Sequence, residues 1–231
     1  MLIDLNADLG EGAGFDAELL QIVTTANVCG GGHAGDPDTV RATLLAAKAV
    51  GVQVGVHPGY PDRDQFGRRE LPYAPDQVFN LCSYQVGAVN GLSRAVGLHL
   101  QHLKPHGGLY HQACREAAFA KPVAAAAFVA GLSLVGLPEC ALTTAAAALG
   151  LPYFAEGFAD RRYRPDGTLV PRTEPDAFVH DPADAVEQVK RLIERGVRTV
   201  CVHGDNPDAV RFAAAVRAGL EAAGFTLRPF G

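Results

Sequence analysis

Short apolar runs rich in Val, Leu, Ile and small residues alternate with longer stretches of helical period along the whole chain. Runs at 2–10, 26–32, 52–59, 98–107, 132–138, 152–158 and 197–205 read as strands. Helical patterns follow them at 16–26, 36–51, 74–97, 111–130, 139–150, 182–196 and 207–224. The second of these opens on Asp36, a good N-cap, with Pro37 in the first turn, and stops at Gly51. Polar loops at 60–71 and 159–181 follow the third and sixth strands. Seven successive βα units imply a parallel sheet with right-handed crossovers. The expectation is an α/β fold, a closed parallel (β/α)7 barrel, because eight full units would be tight in 231 residues. Nothing in the pattern divides the chain, so 1–231 reads as one barrel.

Polar residues break the usual strand pattern. In "HLKPHGGLYH", His102, Lys104 and His106 share one side of a strand, and Leu103 and Pro105 the other. The first strand likewise sets Asp4, Asn6 and Asp8 on one face, with Leu2, Leu5 and Leu9 as its apolar residues. The second strand runs into Gly30–Gly32 and then His33, and the third ends at His57. The sixth carries Glu156 and leads to Asp160 and Arg161; the seventh puts Cys201, His203 and Asp205 on one face. Unpaired charge inside a barrel costs several kcal/mol. Such strands make sense when the polar groups satisfy one another or a ligand, at the strand C-termini where α/β sites form. Asp8, His33, His57, Lys104, His106 and Asp205 are therefore expected to share one site. Asp4 and His102, early on their strands, fit a polar core pair equally well. Of the arginines in the loops over the barrel mouth, Arg68 and Arg161 are the best placed to clamp an anion.

Composition narrows the partners. Net charge is −5, so no basic field exists to hold nucleic acid. The five cysteines form no C-x-x-C pair and read as reduced thiols of a cytoplasmic protein. The N-terminus carries acids where a signal peptide needs bases, and no apolar run is long enough to span a membrane. No G-x-x-x-x-G-K-[ST] phosphate loop occurs.

A carboxylate, several imidazoles and a lysine around an open pocket suit hydrolysis of an amide-like bond. Asp8 or a histidine could activate water, and Lys104 with backbone N–H groups could stabilise an oxyanion. No G-x-S-x-G elbow supplies a covalent nucleophile. Asp8, His33 and His57, from three neighbouring strands, would also suit Zn²⁺ or another transition ion, although a nearby lysine opposes a cation.

The motifs "DLNADLGEG", "HAGDP", "GVHPGYPDRDQFGR", "HLKPHGGLYH", "FADRRYRPDGTLVPR" and "CVHGD", in this order, resemble the LamB/YcsF family, the 5-oxoprolinase A subunits. The resemblance implies a deacetylase-like (β/α)7 barrel. It also implies ATP-dependent opening of 5-oxoproline to L-glutamate with partner subunits B and C, ATP being a co-substrate. It implies Asp8, Lys104, His106 and Asp205 as the catalytic set, with Asp8 or His106 as the base. Asn6, His33, His57, Arg68, Glu156 and Arg161 would then bind substrate. Two departures stand out: Gly30–Gly32 replace the family's Cys-Gly-Phe, and His111 replaces an Asn after "GGLY". The rival readings are a stand-alone metal-dependent amidohydrolase or deacetylase, and a non-catalytic substrate-binding subunit.

Overall fold

The computed structural model describes residues 1–203 and 208–230. Its strands are β1 (Leu2–Leu9), β2 (Thr25–Cys29), β3 (Gln53–His57), β4 (Leu100–Leu103), β5 (Ser133–Gly136), β6 (Tyr153–Phe158) and β7 (Thr199–Val202). Each pairs in parallel with the next, and β7 pairs back to β1, closing a seven-stranded barrel as the sequence pattern implies. A two-residue β8 (Thr226–Leu227) extends the sheet at the start of β1, too short to stand out in the sequence. The helices are α1 (Asp16–Leu19), α2 (Pro37–Val50), α3 (Pro75–Ala95), α4 (Gly107–Arg115), α5 (Ala117–Ala130), α6 (Ala141–Leu149), α7 (Pro182–Glu194) and α8 (Ala209–Ala222).

The apolar core lies between barrel and helices. Ile3, Leu5, Ala7 and Leu9 of β1 belong to the same buried cluster as Val54 and Val56 of β3, Val40 and Leu44 of α2, and Val78 and Val86 of α3. Leu2 is in phase with the polar face and 58% exposed, so the apolar side of β1 is its odd-numbered residues.

Several expected elements change at their ends, each for a local reason. The helix expected over 16–26 is only one turn, and Thr25 already opens β2. The hydroxyls of Thr24 and Thr25 donate to Asp4 Oδ1 at 2.6 and 2.5 Å, contacts that hold both residues against β1. The helix expected over 111–130 is two helices. Glu116, with φ −122° and ψ 120°, breaks it, and α4 begins earlier, at Gly107. The fourth strand is shorter than 98–107. Extended pairing still continues past it, since Lys104 N–H donates to Val56 O at 3.0 Å and His106 N–H to Pro58 O at 2.8 Å.

Inside, the barrel is polar. Besides Thr24 and Thr25, the Thr199 hydroxyl donates to Asp4 Oδ2. Asn6 Nδ2 donates to Thr199 Oγ1 at 2.6 Å and Glu156 Oε1 at 3.1 Å. Asn27 Nδ2 donates to Asn6 Oδ1 (2.7 Å) and Asp8 Oδ1 (2.8 Å), while its own oxygen accepts from His102 Nε2 at 2.6 Å. Asp4 and His102 are therefore both core groups but not a pair: the threonines serve one and Asn27 the other. The fully buried His102 ring is pressed against β3, where a Cβ on Gly55 would come within 2.2 Å of it. Below it, Phe230 meets His102 (5.0 Å between centroids) and Phe154 (4.4 Å).

Burial pushes the Asp4 carboxyl up from 3.8 to about 6, against the three hydroxyls that favour its charged form. The unfolded chain thus ionises Asp4 first as pH rises, which weakens the fold until the native group ionises too. Across pH 4 to 6 the native protein should lose about 2 kcal/mol relative to an Asp4→Asn variant. Urea unfolding of both proteins across that window checks this; parallel stability curves would contradict it.

Candidate active site at the barrel rim

The floor of the site is a buried charge cluster. Lys104 Nζ lies 2.8 Å from Asp8 Oδ1 and 2.8 Å from Glu156 Oε1, and donates to Cys201 Sγ at 3.1 Å. Register explains the meeting: β1 sets Asn6 beside Cys201 of β7, and β7 in turn sets Thr199 beside Glu156 of β6. Burial alone would lower the Lys104 ammonium, but Asp8, with Cys201 and Glu156, holds it well above its ordinary value. Burial would raise Asp8, yet His57 and Lys104 hold its carboxyl well below the usual range. Lys104 and Asp8 are thus fixed as cation and anion at neutral pH.

Above Asp8 stands a wall of imidazoles. His57 Nδ1–H donates to Lys104 O at 2.8 Å, and His106 Nε2–H to Phe66 O at 2.7 Å, because carbonyls can only accept. The remaining nitrogens, His57 Nε2 and His106 Nδ1, face each other at 2.9 Å. That contact needs one proton between the two nitrogens, and Asp8 Oδ2 lies 3.2 Å from His57 Nε2. His33 stacks on His106 with centroids 3.6 Å apart and donates from Nε2 to Glu11 Oε1 at 2.8 Å. Burial pushes His33 down to about 3 and His106 well below its ordinary value. The glycines of 30–32 serve this wall through α3: Gln85 Nε2 donates to Gly59 O at 2.8 Å, and its side chain lies where a Cβ on Gly30 or Gly32 would fall.

The opposite wall is a second histidine system. His203 Nδ1–H donates to Asp160 Oδ2 at 2.7 Å, which leaves Nε2 without a proton, and Nε2 accepts from Arg172 Nη2 at 2.8 Å. The ring stacks on Phe158 at 5.4 Å. His203, and beyond it Arg172, hold the buried Asp160 carboxyl below its ordinary value against the cost of burial.

Between the walls opens a cavity of about 540 Å³, lined by Asp8, His57, Lys104, His106, Arg172 and His203 among others. Of the residues singled out in the sequence, Asp8, His57, Lys104, His106, Arg68 and Arg161 reach this cavity. His33 sits behind His106, and Asn6 and Glu156 lie beneath the floor. The Arg161 guanidinium also ties its own loop, donating to Val170 O at 2.5 Å and Ala177 O at 3.3 Å. Asp205 falls outside the described residues. His111, where the family pattern has Asn, lines the same cavity.

Among the described residues, the donors that cluster within 4.8 Å of one another are Glu11, His33, His57 and His106, with a second set of Asp8, Cys201 and His203. Asp8, which pairs with Lys104, falls in the second set, and Glu11 stands with His33 and His57 in the first. Sequence reasoning missed Glu11 because it lies past the strand, in a glycine-rich turn where period two no longer orders the side chains. The His203–Asp160–Arg172 arrangement was equally invisible as a unit. Its members come from separate segments, although each sits just beyond a strand end or in the long loop.

A family model described as LamB/YcsF family matches residues 3–231. A curated relative in Methylococcus capsulatus, named as the A subunit of 5-oxoprolinase, is 48% identical over 99% of this chain and 96% of its own. One of the same name in Bacillus subtilis is 43% identical over 96% and 94%. The solved lactam utilization protein from Thermus thermophilus superposes with a TM-score of 0.92 at 39% identity, over 100% of both chains. A family 4 carbohydrate esterase from Streptomyces lividans shares the barrel alone (TM-score 0.55, 14% identity, 100% of this chain and 93% of that one).

Replacing Lys104 by Met should cost about 3–5 kcal/mol of stability, since it strands two buried carboxylates. Pairing it with Asp8→Asn should recover part of that loss, as an interaction energy in a double-mutant cycle followed by urea unfolding. Simple additivity of the two losses would show that the ion pair is not coupled.

Proposed function

The chain belongs to the LamB/YcsF family, and from that premise we propose that it opens the ring of 5-oxo-L-proline to give L-glutamate. In this reading it acts as the lactam-hydrolysing component of an ATP-dependent 5-oxoprolinase, with partner subunits B and C. The single observation that carries it is the cavity itself: a fixed cation, Lys104, in the floor, and a histidine with one unprotonated nitrogen, His203, in the wall. Both features suit hydrolysis of a resonance-stabilised amide.

A five-membered lactam resists water, and ATP supplies the driving force. Transfer of the γ-phosphoryl group to the lactam oxygen, with release of ADP, makes the ring carbon electrophilic. Water then adds to that carbon. If the resulting tetrahedral centre expels phosphate first, 5-oxoproline returns and ATP is wasted. Breaking the C–N bond first gives an open acyl phosphate, which a second water converts to glutamate and phosphate. The productive order requires a proton on the ring nitrogen. His203 Nε2 can take a proton from the attacking water and hand it to that nitrogen, with Asp160 fixing the tautomer and steadying the imidazolium. Lys104 Nζ stabilises negative charge on the oxygen side. Arg172 and Arg68, both lining the cavity, anchor the substrate carboxylate or the phosphoryl group. His106 is held between Phe66 O and His57, both fixed parts of the wall, whereas the Arg172 contact of His203 Nε2 can be given up to a substrate anion, so His203 is the base in this reading.

A second reading, a metal-assisted amidohydrolase, is favoured by the clustering of Glu11, His33, His57 and His106. The donors suit a transition ion: the far N–H groups of His57 and His106 are anchored on backbone carbonyls, which would leave their facing nitrogens, with Glu11 and His33, to hold the ion. Bound there, it would polarise a carbonyl oxygen.

With the partner subunits present, His203→Asn should lower glutamate formation by about 10²–10⁴-fold. ADP release should fall less, so that more than one ADP appears per glutamate. Near-native, fully coupled turnover would remove His203 from the mechanism. For the second reading, the purified chain should hold about one equivalent of zinc that His106→Ala abolishes, and should open the lactam without ATP. A metal-free chain inactive without ATP decides for the first.

A further inference from the structure

Helix α7 places a polar side chain on its barrel-facing stripe. Ala185 and Leu192 are buried there, and Gln188 lies one turn from each, on the same face. An amide in that setting is costly unless it is hydrogen-bonded. Gln188 Nε2 donates to Phe158 O at 2.9 Å and to Arg161 O at 2.7 Å, with Ala159 O further off at 3.4 Å. Carbonyls only accept, which fixes the NH2 end of the amide as the one facing them. The carbonyl among them that Gln188 does not meet, Asp160 O, accepts from Val179 N–H at 2.9 Å. All four successive carbonyls of the turn that leaves β6 are thus assigned, three of them to one side chain.

That turn carries two of the groups that hold His203. The Phe158 ring stacks on the imidazole at 5.4 Å, with the planes 12° apart, and Asp160 Oδ2 accepts from Nδ1–H at 2.7 Å. One residue sets the plane of the ring and the other its tautomer, and both lie within the span that Gln188 clasps. Asp160 Oδ1 is buried and meets no partner among the described residues, so the aim of Oδ2 at His203 is set by the backbone that carries it. Without the amide, the carbonyls of Phe158 and Arg161, both buried residues, lose their side-chain donor, and the turn has to shift to find others. Gln188 itself is not part of the lining of the cavity between the histidine walls.

We propose that Gln188 is a positioning residue for His203, acting through Asp160 and Phe158. It holds the turn where the carboxylate keeps the proton on Nδ1 and leaves Nε2 to accept one. The inference rests on the reading of His203 as the base and adds to it what keeps that base in its working tautomer. Gln188→Met preserves the length and the apolar packing of the side chain and removes both donors. The turn then relaxes, the Asp160 contact loosens and the Nε2–H tautomer becomes populated. In that tautomer Nε2 cannot take a proton from water.

Nitrogen-15 NMR of the full chain, at a pH where the ring is neutral, reads the tautomer directly. His203 should show a single Nδ1–H form in the native protein and a mixture of both forms in Gln188→Met. With the partner subunits present, the variant's kcat for glutamate should fall about 10–100-fold while KM for the lactam stays within about twofold. More than one ADP should then appear per glutamate. An unchanged single tautomer in the variant overturns the inference and leaves His203 as the base. A mixed tautomer with native, fully coupled turnover overturns that reading, and the positioning role with it. The native chain decides the matter even if the variant does not fold. The Gln188 side-chain amide protons should exchange with solvent at least about tenfold more slowly than those of the exposed Gln65, and equal rates overturn the inference.

Discussion

The structure depends on one buried ammonium group. Lys104 can be fully buried only because Asp8 and Glu156 stand on either side of it, and they can be buried only because of it. An ion of either sign left alone there would cost several kcal/mol. The three side chains come from the β4 end, β1 and β6, so satisfying the charge fixes how those strands are spaced across the barrel. The polar groups below are then committed in turn. Asn6 bridges Glu156 and Thr199, Asn27 bridges Asn6 and Asp8, and His102 closes on Asn27. A barrel of this width is filled by a hydrogen-bonded network where aliphatic side chains would otherwise pack.

The two walls inherit different properties from that floor. Asp8 hands its second oxygen to His57, His57 meets His106, and His106 stacks on His33, so the first wall has its donors and acceptors spoken for within the protein. It is rigid and orienting. The facing wall is simpler. Asp160 fixes one nitrogen of His203, and the other accepts from Arg172, a contact that a substrate anion could recruit by drawing the guanidinium toward itself. In the proposed mechanism, a site with one saturated wall and one proton-accepting wall has a direction, with charge held on one side and protons moved on the other.

What the sequence made legible follows from period two. Asp4, Asn6 and Asp8, and His102 and Lys104, could be assigned to one face because alternation in a strand is unambiguous. Where the chain leaves the sheet, that rule ends. Glu11 lies three residues past Asp8 and reaches His33 and His57 from a turn, so no periodicity marks it. Thr24 and Thr25 look helical within their own neighbourhood, and only Asp4, some twenty residues earlier, holds them so that Thr25 starts a strand. Arg161 reads as a mouth arginine, yet its loop needs the guanidinium to satisfy two of its own carbonyls. In each case a partner distant in sequence overrode a local preference.

The asymmetry of the walls bears on why a lactam would need both. Lys104 lowers the energy of negative charge on oxygen whether phosphate or nitrogen leaves next, so it favours forming the tetrahedral centre without choosing the direction of its collapse. The choice lies in the leaving groups. Phosphate departs readily as an anion, whereas a ring nitrogen departs only when protonated. A cationic floor by itself would therefore favour return to the closed ring and loss of the phosphoryl group to no purpose. Coupling requires a proton donor that becomes charged only after water has attacked. A neutral histidine whose far N–H is held by a carboxylate meets that requirement, because the proton it takes from water is the one the nitrogen needs.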